Sequence, residues 1–185
     1  MSEEMKTIKA GPYTLVARSI DDGYRGVLWS GGEKVVDIRK ATLDEVWSAL
    51  CDALYERQIS LAAARLAEPT AAEIAKVFVR IEQQLTAGHK AMLRAHLNAS
   101  DRSITATQLA KAAGYANYSA ANLQYGLLGA MLFAEMPINL PRRKDGSRVM
   151  TCTIALDEDA YGPEDEWIWK MRPYVAEGLL ASRIL

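Results

Sequence analysis

Residues 104–132, ITATQLAKAAGYANYSAANLQYGLLGAML, carry two helix-start signals separated by little more than one short helix. Thr105 offers an N-cap hydroxyl with Gln108 placed to reach back, and Ile104 and Leu109 occupy the positions of a hydrophobic staple. Gly114 is the residue type that closes a helix in the left-handed conformation, so the first helix is expected over 106–113. Ser119 is expected to cap the second, with Tyr118 and Leu123 stapled and Leu123, Leu127, Leu128 and Met131 facing inward. Two capped helices joined by three or four residues make a helix-turn-helix, here at about 105–132.

The segments on either side fix the expected class as α+β. Upstream, YTLVARSI, YRGVLWS and KVVDIR alternate in the β manner and are separated by DDG and GGE, which predicts a three-stranded antiparallel sheet. Thr42 and Glu45 form a capping box ahead of Leu43, Val46, Trp47, Leu50 and Leu54 on one helical face, so a helix packs across that sheet. Pro69 stops it, and Thr70 with Glu73 opens another helix bearing Ile74, Val77, Phe78, Ile81 and Leu85. The chain is therefore expected to divide into a β-meander-plus-helix domain, 1–68, and a second domain, 69–185. Downstream of the helix-turn-helix, VMTCTIAL and EWIWKMR read as a β-hairpin at about 149–172, which makes the second domain winged-helix-like. A closing helix, YVAEGLLASRIL, is apolar enough to offer a homodimer interface.

Charge is distributed unevenly under a net value of -1. Residues 85–150 hold eight Lys and Arg against three Asp and Glu, a net +5, whereas 151–185 hold three against seven. Any nucleic-acid contact must then be local to the helix-turn-helix, since a near-neutral chain excludes indiscriminate binding. Asn122 and Gln124 can each pair with the N6 and N7 edge of adenine, while Ser119 and Tyr125 suit phosphate or base contacts. Lys111 and the run Arg142, Arg143, Lys144 and Arg148 supply cations for the backbone. A recognition helix can be uncharged when cations lie beside it, because base contacts specify and phosphate contacts position. Exposed Asn, Gln and Tyr are equally at home on a helix that meets protein.

The acidic stretch 157–166 opposes a wing on DNA, since its carboxylates are repelled by phosphates. Asp157, Asp159 and Gly162 match three positions of a calcium loop, but Tyr161 and Ile168 stand where two ligands are required, so no calcium site is expected. Asp157, Glu158, Asp159, Glu164, Asp165 and Glu166 instead suit docking on a basic groove of a partner. His89 and His96 lack a third ligand at metal spacing and read as surface or capping residues. Cys51 and Cys152 form no paired motif. No nucleophile elbow, phosphate loop or dinucleotide fingerprint is present, so neither enzymatic activity nor a cofactor or metal is expected. Trp167 and Trp169 share one strand face and are expected to pack on the final helix, the alternative being an aromatic surface for a partner. With no signal peptide or membrane span in the sequence, the expected location is the cytoplasm.

The succession Gly88-His89-Lys90-Ala91-Met92-Leu93, TATQLAKAAGYANYSAANLQYGLLGAML and WIWKMRPYVAEGLL resembles a domain found beside HNH-type restriction endonucleases and alone in phage and prophage proteins. The resemblance covers about residues 85–183 and is most specific at NLQYG. It implies association with DNA-targeting defence systems, but the HNH array is missing, so cleavage does not follow. Two functions are compatible with these features. One is a noncatalytic phage- or mobile-element-type protein that binds double-stranded DNA through the helix-turn-helix. The alternative is an inhibitor or adaptor that binds a bacterial nucleoprotein defence complex, as anti-CRISPR and anti-restriction proteins do.

Overall fold

The computed structural model describes residues 5–161 and 166–185, with backbone alone over 157–161. The chain divides into two units, Met1–Leu66 and Ala67–Leu185.

The first unit is a four-stranded antiparallel meander in chain order, β1 (Met5–Ala10), β2 (Tyr13–Ile20), β3 (Gly23–Ser30) and β4 (Glu33–Lys40). The sequence predicts three strands; β1 is the addition. It pairs with β2 from Met5–Arg18 to Ala10–Tyr13, yet Met5 to Lys9 are all exposed, so no buried face marks it in the sequence. Each connection is two residues long, and at Gly31–Gly32 both φ angles are positive, as a hairpin turn matched to strand twist requires. Helix α1 (Leu43–Ala64) starts at the Thr42–Glu45 capping box. Its Val46 and Leu50 close over Tyr13, Leu15, Ala17 and Leu28 to make the core.

In the second unit, α2 (Ala71–Ile81) begins at the Thr70–Glu73 capping box and buries Ile74, Val77, Phe78 and Ile81. Helix α3 (Ala87–Asn98) leads into a short strand, β5 (Ser103–Thr105). Then come α4 (Ala106–Ala113) and α5 (Tyr118–Glu135), joined by the four residues Gly114–Asn117. Gly114 sits at φ 70°, and Thr105 and Gln108 form the capping box at the start of α4. The cap of α5 differs from expectation. It is Asn117, whose side chain accepts the Ala120 N–H, and Ser119 lies inside the first turn.

Strands β6 (Ala155–Tyr161) and β7 (Trp167–Met171) pair antiparallel, and β5 joins the other edge of β7 to give the order β5-β7-β6. The expected two-stranded hairpin from 149 is thus corrected to a three-stranded sheet whose hairpin starts at Ala155. Residues Met150–Thr153 form a 3₁₀ turn, and Thr151, Cys152 and Thr153 are all buried, so the apparent alternation there does not mark a strand. This turn presses on α5 at Gly129, where a Cβ would collide with the Met150 carbonyl oxygen.

Helix α6 (Pro173–Ser182) buries Tyr174, Val175, Ala176, Gly178 and Leu179. Its buried face packs within the unit, with Gly178 against Ile74 of α2, while Leu180 is exposed. No helix of the described residues is long and apolar enough to cross a membrane.

Candidate nucleic-acid interface

Helix α5 is apolar almost all round, so which face it buries is decided by tertiary partners. The buried line is Ala121, Tyr125, Leu128, Leu132, one step away from the expected one. Leu123 and Leu127 are consequently exposed, at 62% and 46%. The outward surface of the first three turns carries Ser119, Asn122, Leu123 and Leu127, and Tyr118 is exposed beside them.

This phase removes two expected contacts. Tyr125 is 1% exposed, and its hydroxyl lies 2.6 Å from Nδ1 of His96. Gln124 is half-buried and turned toward α3, with its Oε1 3.2 Å from Nε2 of His89. Arg148 is the second full correction. It is 8% exposed, with its guanidinium 5.2 Å from the ring centroid of Phe133, a cation–π position that withdraws it from phosphate.

Ser119, Asn122, Lys111, Arg142, Arg143 and Lys144 are exposed. The last three sit on an ordered turn rather than a free loop. Arg143 N–H donates to the Ser147 carbonyl and Gly146 N–H to that of Arg143, while Asp145 accepts from the backbone and hydroxyl of Ser147. Those Ser147 hydrogen bonds hold the Asp145 carboxyl below its usual range. Arg142 and Arg143 donate to backbone oxygens of the same turn, which limits their reach and fixes their position. Arg143 and the largely buried Arg148 line a shallow groove together with Asn122, Leu123 and Leu127, so of the exposed cations of the run Arg143 lies along the outward face of α5.

Both histidines are buried, contrary to a surface reading, and each has a fixed tautomer. His96 Nε2 lies 2.8 Å from the Trp169 carbonyl, which can only accept, so Nε2 carries the proton and Nδ1 accepts from Tyr125. Burial pushes the imidazole down to about 4, against a smaller upward effect of the backbone carbonyls of Trp169 and Arg102. His89 occupies the third position of α3 and its Nδ1 accepts the Thr86 N–H, so it does act as a capping residue. Its Nε2 donates to Gln124, and burial lowers its pKa. With both ring nitrogens engaged, neither is arranged as a metal ligand, and no group of three or more His, Cys, Asp or Glu residues gathers among the described residues.

On the other flank of α5, Asn122 and Tyr118 face Thr107 of α4 and Glu166, Trp167 and Trp169 around a cleft of about 420 Å³. The Trp-bearing face of β7 therefore lines this cleft, with Trp167 48% exposed and Trp169 half-buried. Of the six acidic residues expected to meet a partner, Glu166 has a described side chain, which accepts a hydrogen bond from the Thr107 hydroxyl. Asp157, Glu158, Asp159, Glu164 and Asp165 lie outside the described side chains. Neither the cleft nor the exposure of Leu123 follows from sequence pattern; the alternation of Trp167 with Trp169 is the one signal pointing there. No protein-family model matches the chain, and no characterised protein or solved structure is detectably similar to it.

Proposed function

We propose that the Ala67–Leu185 unit is a winged-helix-like, noncatalytic reader of double-stranded DNA, of phage or mobile-element type, that places the first turns of α5 in the major groove. The observation that carries this reading is the outward face of α5. Ser119 and Asn122 stand exposed on a helix entered from a four-residue turn, with Arg143 along the adjoining groove. An amide at that place suits an adenine edge, and Leu123 suits a thymine methyl. The order helix, strand, helix, helix, strand, strand, with β7 central, supports the winged-helix assignment. Fluorescence anisotropy against the duplex upstream of its own gene and random duplex, over a salt series, tests it. Preference for one duplex, with a log–log salt slope of about −3 to −4, fits contacts from Lys111, Arg142, Arg143 and Lys144. Absence of binding at low salt rejects it.

A second reading, an adaptor or inhibitor bound to a bacterial defence complex, draws on a different observation. Leu123 and Leu127 present apolar surface where phosphate-facing helices carry polar groups, and on the other flank of α5 Glu166 stands in a cleft with Tyr118, Trp167 and Trp169. Affinity purification from cells carrying restriction or CRISPR systems separates the two, since the adaptor alone recovers a stoichiometric complex.

A further inference from the structure

We infer that the cleft between α4, α5 and β7 is a binding site for an arginine side chain presented by a partner protein. The inference names a partner chemistry for the second reading above and does not depend on DNA binding.

The walls decide the ligand class. Tyr118, Trp167 and Trp169 bring three aromatic side chains to one cleft, and two of them, Tyr118 at 55% and Trp167 at 48%, keep large exposed surfaces. The polar groups among them are the Glu166 carboxylate, the Asn122 amide and the Thr107 hydroxyl, and among the described residues neither Lys nor Arg lines the cleft. Aromatic faces attract a cation through their quadrupole, and the carboxylate adds a full opposite charge in a partly desolvated setting. Guanidinium is the side-chain cation that stacks on an aromatic face while its edge meets a carboxylate and an amide oxygen. A stacked nucleobase would use the same rings but bring its phosphate toward the Glu166 carboxylate. At about 420 Å³ the cleft accepts a side chain, not a folded element. Thr107 donates to Glu166 and so holds the carboxylate in place against α4.

The test is titration of the whole chain with acetyl-arginine amide, followed by tryptophan fluorescence. The uncharged isostere acetyl-citrulline amide is the control. Trp29 and Trp47 belong to the other unit and supply a constant background. Saturable change with the arginine probe is expected, at least tenfold tighter than with citrulline. E166Q keeps an oxygen to accept from Thr107 but removes the charge, and should weaken arginine binding about fivefold to tenfold while leaving citrulline unchanged. Trp167→Ala, at an exposed position, should abolish saturation. Equal affinity for the two probes, an unaffected E166Q, or no saturation by tens of millimolar overturns the proposal. Duplex binding by E166Q is expected to be no weaker than that of the parent, so failure here and failure of the DNA reading are told apart.

Discussion

The hydroxyl of Tyr125 on α5 donates to Nδ1 of His96 on α3 at 2.6 Å, in a site where both side chains are essentially inaccessible to water. Because His96 donates its Nε2 proton to the Trp169 carbonyl, one imidazole ties the helix-turn-helix to the central strand of the sheet. Removing the hydroxyl in Tyr125→Phe leaves a buried acceptor unsatisfied and should cost about 1–2 kcal/mol. Urea unfolding measures this. A change within error would place Tyr125 on the surface, as its polar head alone suggests.

The same site sets an acid limit. The His96 pKa lies near 4 in the folded chain against 6.5 ordinarily, so the unfolded state binds the proton more tightly. Stability is therefore full above pH 6.5 and falls as pH drops toward 4, by about 3 kcal/mol from this residue alone. Of the two histidines, one should titrate near pH 4 by NMR, and the slope of stability against pH over that window should flatten in His96→Gln.

What the sequence made legible follows from where each signal is local. The caps at Thr42, Thr70 and Thr105 and the stop at Gly114 are decided within four residues, and the helices begin and end where those residues place them. The phase of α5 is not local. Leucines at 123, 127, 128 and 132 support more than one inward face, and the choice rests on His96, 29 positions from Tyr125, accepting a phenol that reads as surface. Strand β1 is hidden for the opposite reason. It buries no side chain between Met5 and Lys9, and its place rests on backbone pairing and on Lys6 lying 4.1 Å from the Trp47 ring. Within the candidate site, residue types and exposure are legible at Ser119, Asn122, Lys111, Arg142, Arg143 and Lys144. Tyr125 and Arg148 are withdrawn by packing against partners that sequence pattern does not reveal.

Gly129 and Gly126 lie three residues apart on α5 and should respond oppositely to alanine. At Gly129 the new Cβ collides with the Met150 backbone carbonyl, and the 3₁₀ turn must shift, at about 2–3 kcal/mol. At Gly126 the nearest atom is 3.9 Å away, and better helix propensity should stabilise by about 0.5–1 kcal/mol. Thermal unfolding of the pair checks both signs.

The interface itself separates into two kinds of interaction with different signatures. Asn122→Ala with Ser119→Ala should leave affinity for random duplex nearly unchanged and narrow its difference from the preferred duplex, by about 1–3 kcal/mol for one bidentate pairing with a base edge. Replacing Arg142, Arg143 and Lys144 by Ala should weaken every duplex alike and reduce the magnitude of the salt slope by about 3, one for each phosphate no longer neutralised. Arg148→Ala is the internal control. Its guanidinium lies over Phe133, so its removal should appear in unfolding and not in the salt slope. A salt slope that drops with Arg148→Ala and stays constant without the other three would move the phosphate contacts off the 142–144 turn and reject this orientation of the helix on DNA.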